Sequence, residues 1–225
     1  LYSDINELIN IILEEKVPIV FTSAGNPKAW TSTFKENGIT VVHVVSSSKF
    51  AIKAQEAGCD AVVAEGFEAG GHNGKEETTS MVLIPLIKNA VHIPVIAAGG
   101  IATGRQMLAA MVLGADAVQI GSRFVCTPEA SSHQNFKEAI LHAIEGDTML
   151  SIKKVVPVRL LKNKFATTIQ TAEAEGATAS ELQTIPIGFA EPSVAVPVMT
   201  LTPVAQLDIA DRKTSFVISD SIAIP

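Results

Sequence analysis

Apolar positions between residues 16 and 143 fall into two alternating textures. Short unbroken apolar runs occupy residues 18–21, 39–45, 60–64, 94–98 and 116–120. They are rich in Val and Ile and show no polar alternation, which is how strands buried on both faces of a parallel sheet read. Each run gives way to a helical spacing of apolar residues, over 27–37, 47–57, 79–90, 103–113 and 131–143. Gly38, Gly58 and Gly114 stand where three of those helices stop, at the position where only glycine adopts a left-handed backbone cheaply. Pro85 lies inside the third helical stretch and marks its start or a kink. The phrases Ala57-Gly58-Cys59-Asp60-Ala61-Val62 and Leu113-Gly114-Ala115-Asp116-Ala117-Val118 are near copies, and both spell helix end, tight turn, buried strand. The repeating strand–helix unit predicts an α/β fold with a parallel sheet.

Ile5, Leu8, Ile9, Ile12 and Leu13 recur at helical spacing and predict an opening helix over 4–15. Glycine-containing turns follow several strands rather than the first alone. That favours a (β/α)8 TIM barrel over a doubly wound sheet, because barrel loops converge on one site. Five strands are counted where a closed barrel needs eight. They are expected to be the fourth to eighth, with the first three absent upstream and the opening helix serving as the third barrel helix. Residues 1–146 are then the barrel portion, 147–185 a small helical extension and 186–225 a separate tail. In that tail Val194, Val196, Val198 and Leu201 suit short edge strands, while Pro192, Pro197 and Pro203 exclude a helix or a central ladder.

Composition narrows the function class. Hydrophobic residues make up 47% and charged residues 18%, enough for a sizeable core. Lys plus Arg is 17 and Asp plus Glu is 23, a net charge of −6, which argues against a nucleic-acid surface. No apolar run of about 18 residues predicts a membrane span. Two cysteines, Cys59 and Cys126, cannot make a disulfide framework, and a reducing, cytoplasmic setting fits.

Twelve of the fifteen glycines lie between Gly25 and Gly121, which places the backbone-exposing positions in the loops after the strands. The first loop, Ser23-Ala24-Gly25-Asn26-Pro27, reads as an ordinary turn or as a flat wall beside a ligand ring. The second, from Glu65 through Gly66, Gly70 and Gly71 to His72 and Gly74, sets four glycines around one imidazole. His72 is either a surface residue or a proton-transfer group. Glu65, Glu68 and His72 lack a second His or Cys at ligand spacing, so a metal site is disfavoured. The third loop, Gly99-Gly100-Ile101-Ala102-Thr103, bares amides before a helix start, where anions bind. The fourth, Gln119-Ile120-Gly121-Ser122-Arg123, ends the next strand. The two loops would follow the seventh and eighth barrel strands, where barrels frequently hold a phosphate. Arg123 serves that phosphate or a nearby carboxylate. Cys126 and Trp30 read as packing residues, and Lys153, Lys154, Arg159, Lys162 and Lys164 as a solvated basic run or, as the weaker reading, a surface for an acidic carrier or a dinucleotide phosphate.

Taken together, the Glu65–Gly74 phrase, Ala98-Gly-Gly-Ile-Ala102 and Gln119-Ile-Gly-Ser-Arg-Phe124 resemble the FMN-dependent barrel family of nitronate monooxygenases (2-nitropropane dioxygenases) and enoyl-ACP reductases II. The likeness is densest over 17–143 and continues to about residue 185. It implies FMN at the mouth of the barrel, contacted by Glu65, Gly70 and Gly71. The main chain around Gly99, Gly100, Gly121 and Ser122 would hold its phosphate, with Gln119 and Ile120 leading in. His72 matches the family's active-site histidine. Ser122 stands where members commonly carry Thr, and the hydroxyl is kept.

The Ser23–Pro27 loop resembles the reductase branch more than the monooxygenase branch. The resemblance therefore implies reduction of a trans-2-enoyl thioester by NAD(P)H through FMN. Oxidation of alkyl nitronates with O2 is the alternative, and a non-catalytic FMN- or phosphate-binding remnant the second alternative. It further implies a small-molecule or acyl-carrier-protein-linked substrate, no nucleic-acid or membrane partner, and room for a homodimer. An open five-stranded barrel leaves two sheet edges and an apolar interior. The expectation is that the chain folds poorly or holds FMN weakly without the absent strands.

Overall fold

The computed structural model describes residues 5–185 and the backbone of 216–218. The opening helix forms as α1 (Ile5–Glu14), with Ile9 buried in the core. All five expected strands form: β1 (Ile19–Thr22), β2 (Thr40–Val45), β3 (Ala61–Glu65) and, after a two-residue strand β4 (Gly71–His72), β5 (Val95–Ala98) and β6 (Ala117–Ile120). The helix expected over 27–37 is split. Asn26 accepts the Lys28 amide and opens a single tight turn at Pro27–Ala29, and α2 (Thr31–Glu36) starts only after Trp30. The next helices along the chain are α3 (Ser48–Glu56), α4 (Ser80–Ala90), α5 (Gly104–Val112), α6 (Ser122–Val125) and α7 (Gln134–His142). Pro85 sits inside α4 without ending it.

The main sheet runs β1-β2-β3-β5-β6, every neighbouring pair parallel. This is the βα order of a TIM-barrel wall. Its two faces are both apolar. Val41, Val45, Val62, Ala64, Val95, Ala97, Val118 and Ile120 meet the helices through Phe34, Leu83, Ile84 and Ile87. Val42, Ala61, Val63, Ile96, Ala98 and Ala117 form the opposite cluster, joined by Ile19, Phe21 and Val44, and this is the barrel-interior face. Burial on both faces explains why the strands read as unbroken Val and Ile runs.

The two near-copied phrases do the same work. Asp60 donates its amide to Val41 O and accepts the Val41 N–H on Oδ2, both at 2.8 Å; Lys35 of α2 reaches its other oxygen. Asp116 repeats this with Val95 O and N–H, again both at 2.8 Å, and with Lys88 of α4 at 2.7 Å. Each aspartate locks a strand to the preceding strand at its N-terminal end and ties a helix over the joint. Gly58 and Gly114, at φ 89° and 105°, supply the left-handed residue that turns the helix end into that joint.

Two expectations change. The segment after residue 146, expected to be a small helical extension, opens with an antiparallel hairpin, β7 (Thr148–Ser151) and β8 (Val158–Leu161), before α8 (Lys164–Ala174) and α9 (Ala179–Thr184). Its strands are short and flanked by lysines, so they lack the apolar runs that mark the main sheet. β4 pairs antiparallel with β8, making a second, three-stranded sheet. Neither flank of the main sheet was expected to be covered, yet β9 (Phe216–Ile218) pairs parallel with β6, with Val118 opposite Phe216. The edge strands proposed around Val194–Leu201 lie outside the described residues.

Candidate active site

The C-terminal ends of β3, β5 and β6 stand side by side, with Glu65 opposite Ala98 and Ala98 opposite Gln119. Side chains alternate along a strand, so Glu65, Ala98 and Gln119 fall on the barrel-interior face with Ala61, Val63, Ile96 and Ala117. Small Ala98 separates a carboxyl from an amide in one row at the mouth. Burial pushes the Glu65 carboxyl up to about 7, because the charged form is poorly hydrated there. Gln119 is 7% exposed, and its Oε1 has no hydrogen-bond partner among the described residues. A buried amide oxygen without a partner is rare and calls for a donor beyond the described residues. Ile120 turns to the helix-facing core, so only its main chain faces the mouth.

The two mouth loops are packed on one another through Ser80. Its hydroxyl stands 2.8 Å from Gly99 O, 3.2 Å from Ala98 O and 3.1 Å from Glu68 Oε2. The Glu68 carboxylate also accepts the Ser80 amide, at 3.1 and 3.0 Å, at the N-terminal end of α4, where a negative charge is favoured. Glu68, weighed from the sequence as a metal ligand, is thereby committed to a helix start. A Cβ on Gly99 would stand 2.7 Å from Gly66 O, and the backbone there has φ 97°. Gly99 is therefore glycine because two loops touch there. Gly121 and Gly70 differ: a Cβ on either meets nothing within 4 Å, and neither has positive φ. The fold does not require glycine at those two positions.

The expected helix start at Thr103 carries a capping box. Gln106 Oε1 accepts the Ala102 and Thr103 amides at 2.9 and 3.0 Å, and Thr103 Oγ1 accepts the Gln106 amide at 3.3 Å. Those amides are spent. The Gly99, Gly100 and Gly121 N–H groups find no acceptor among the described residues. Ser122 begins α6 and is exposed, as is Arg123, for which no carboxylate partner stands among the described residues. Lys137 of α7 is 8% exposed and donates to Thr127 O and Ala130 O at 2.7 and 2.8 Å, closing the loop after α6.

Gly70, Gly71 and His72 lie on the second loop, and His72 sits on β4 with an exposed side chain. Asn73 is buried, donates through Nδ2 to Ala69 O and Gly71 O, and binds Pro157 O through its amide at 2.8 Å. A shallow cleft beside this loop is lined by Ser46, Glu65, Phe67, Gly74 and Thr78, and of the expected site residues it takes in Glu65. Among the described residues no group of three or more His, Cys, Asp or Glu is placed to hold a metal. Arg159 and Ser80 were not singled out by sequence as residues that shape the site, and Glu68 was weighed there only as a metal ligand. Their partners are 12 to 92 positions away, beyond any local pattern.

The chain matches the nitronate monooxygenase family over residues 3–202. It is 37% identical over 170 residues to a probable nitronate monooxygenase of Staphylococcus saprophyticus, covering 71% of this chain and 48% of that one. The structure resembles FabK from Thermotoga maritima at TM-score 0.73 and 46% identity, over 78% of this chain and 56% of that chain. It also resembles a nitroalkane oxidase from Streptomyces ansochromogenes at TM-score 0.66 and 27% identity, over 79% of this chain and 53% of that chain. The chain thus spans about half the length of the relatives it matches. With the mouth loops and strand order described above, these likenesses show that the chain belongs to the nitronate monooxygenase family.

Proposed function

We propose that this chain forms the FMN-holding wall of an oxidoreductase of the enoyl-ACP reductase II type. The observation that carries the reading is the buried, unpartnered Gln119 Oε1 in the inner row at the mouth, beside a turn at Gly121 that the fold leaves open. A flat heteroaromatic ring with N–H donors satisfies such an oxygen, and free amides at Gly99, Gly100 and Gly121, with the Ser122 hydroxyl, suit its phosphate. Glu65, with a carboxyl near neutrality at pH 7, donates or accepts at the same row. Gly70 and Gly71 leave room for close approach on the loop side.

When bound, FMN supplies hydride transfer, and NAD(P)H is the reductant in this reading. The residues of the chain do the rest. Gly99, Gly100, Gly121 and Ser122 would hold the cofactor, Gln119 and Glu65 would orient it, and His72 would move a proton at the substrate α-carbon. The higher identity to FabK than to the staphylococcal monooxygenase, together with the Ser23–Pro27 loop, supports the reductase branch. The family match itself supports a second reading, oxidation of alkyl nitronates with O2, in which His72 takes the α-proton of a nitroalkane.

Titration of the chain with FMN, followed by stopped-flow mixing, tests both. Bleaching of the flavin band by NADH or NADPH and turnover of a trans-2-enoyl thioester supports the reductase. Bleaching by nitroethane or propionate-3-nitronate without a nicotinamide supports the monooxygenase, and His72→Ala should then slow nitroethane far more than the preformed nitronate. No change in flavin absorbance or fluorescence on mixing would refute both.

A further inference from the structure

We infer that Arg159 is a positioning residue for His72: from β8 it grips the Phe67 turn by its carbonyl and its ring, and so fixes where the imidazole stands. Nε and Nη2 of Arg159 both donate to Phe67 O at 3.0 Å, and the guanidinium lies 5.0 Å from the centre of the Phe67 ring. Nη1 donates to Thr148 Oγ1 at 3.2 Å, which anchors the fork on its own hairpin. Charge-assisted bonds of this kind are stronger than neutral ones, and a stacked, forked guanidinium fixes direction as well as distance.

The loop needs an external hold. Between Gly66 and Gly74 it has four glycines, and Gly70 and Gly71 meet nothing where a side chain would sit. At its first end Gly66 N–H bonds Ala98 O. Phe67 N–H bonds Thr78 O and Glu68 holds the start of α4, while the stretch beyond Gly70 is attached to the hairpin. Gly71 pairs with Arg159 and His72 with Val158 in the ladder, and Asn73 N–H bonds Pro157 O. Lys153, between β7 and β8, pairs with Glu77 at 2.6 Å just beyond the loop. Among the described residues Arg159 is the one hairpin side chain that reaches back across the glycines to Phe67, so the loop is held on both sides of Gly70 and Gly71. The same residue thus stands opposite Gly71 in the ladder and holds the start of the loop.

The inference rests on the reading of His72 as the proton-moving group, and its test is separable from that reading. Hydrogen–deuterium exchange on the full chain compares wild type with Arg159→Met. The segment 66–74 should exchange at least tenfold faster, while β2, β3 and β5 exchange as before. The His72 side-chain resonance, assigned with His72→Gln, should change its chemical shift and broaden, with the buried His43 unmoved. Unchanged exchange over 66–74, or an unmoved His72 signal, overturns the inference. Arg159→Lys guards against simple loss of fold. It keeps the charge and most of the stem, yet a single ammonium cannot reproduce the flat fork, so the loop should still loosen with the circular dichroism of wild type. Full restoration by Lys also overturns it. Thr148→Val, which removes only the hairpin-side bond, should leave segment 66–74 within twofold of wild type. If His72→Ala leaves turnover intact, the functional reading fails, while the exchange and resonance data still decide the grip.

Discussion

Glu68 and Ser80 are joined three ways: both carboxylate oxygens accept the Ser80 amide, and the Ser80 hydroxyl stands 3.1 Å from Oε2. That hydroxyl is also the bridge to Gly99 O at 2.8 Å. Ser80→Ala keeps the amide bond and removes the bridge, leaving the half-buried Gly99 carbonyl without that donor. We expect a loss of about 1–2 kcal/mol in urea unfolding. FMN affinity should fall several-fold as well, because the Gly99–Gly100 turn loses its anchor.

The two kinds of mouth glycine should separate under substitution. Gly99→Ala places a Cβ 2.7 Å from Gly66 O on a left-handed backbone, so it should destabilise by about 2 kcal/mol or more. Gly121→Ala meets nothing within 4 Å, so thermal unfolding should be unchanged to within about 2 °C. FMN binding measured by fluorescence should nevertheless weaken by tenfold or more. Equal affinity for FMN in Gly121→Ala and wild type would remove that turn from the site.

Glu65 makes stability depend on pH in a stated direction. Its folded value of about 7 lies above the ordinary 4.5. The unfolded carboxyl therefore releases its proton first, and stability falls as pH rises from about 4.5 to about 7, then levels. Linkage allows up to about 3 kcal/mol over that window. Glu65→Gln should flatten the profile and be more stable than wild type at pH 8. Chemical unfolding at half-unit pH steps measures it, and parallel profiles for the two proteins would contradict it.

The paired aspartates should behave alike. Asp60→Ala and Asp116→Ala each strip the acceptor from a strand N–H, Val41 and Val95 respectively, and should each cost about 1–2 kcal/mol. The sites lie two strand spacings apart, about 10 Å, so the double variant should be additive to within about 0.5 kcal/mol. Asn at either position keeps an acceptor and loses an exposed ion pair, and should cost about 0.5 kcal/mol or less.

Much of the fold is written locally. Val41–Val45 and Val62–Ala64 announce two-sided burial, and Gly58 and Gly114 announce helix ends, because one residue's chemistry decides each. Other features rest on distant partners. Leu150 and Arg159 face each other in a hairpin whose strands carry no apolar run, and nothing near Arg159 in sequence foretells Phe67. Trp30 breaks a helix that periodicity joins, because the Asn26 cap closes only a short turn. At the site, the positions of Glu65, Gln119 and Gly121 at strand ends were legible as the ends of apolar runs. The reason for Gly99 was not: the sequence reads it as a bared amide, whereas its lack of a side chain is demanded by Gly66 O and Ser80.

The pairing of Val118 with Phe216 carries a consequence for biosynthesis. On the ribosome, β1, β2, β3, β5 and β6 emerge in the order in which they pair, so each finds its neighbour already made. The flank of β6 must then wait until residues 216–218 have been translated. Closing so long a loop is entropically unfavourable and slow. During that wait the β6 flank offers unpaired N–H and C=O groups to whatever binds nascent chains, and chaperone capture should be greatest at that stage of translation.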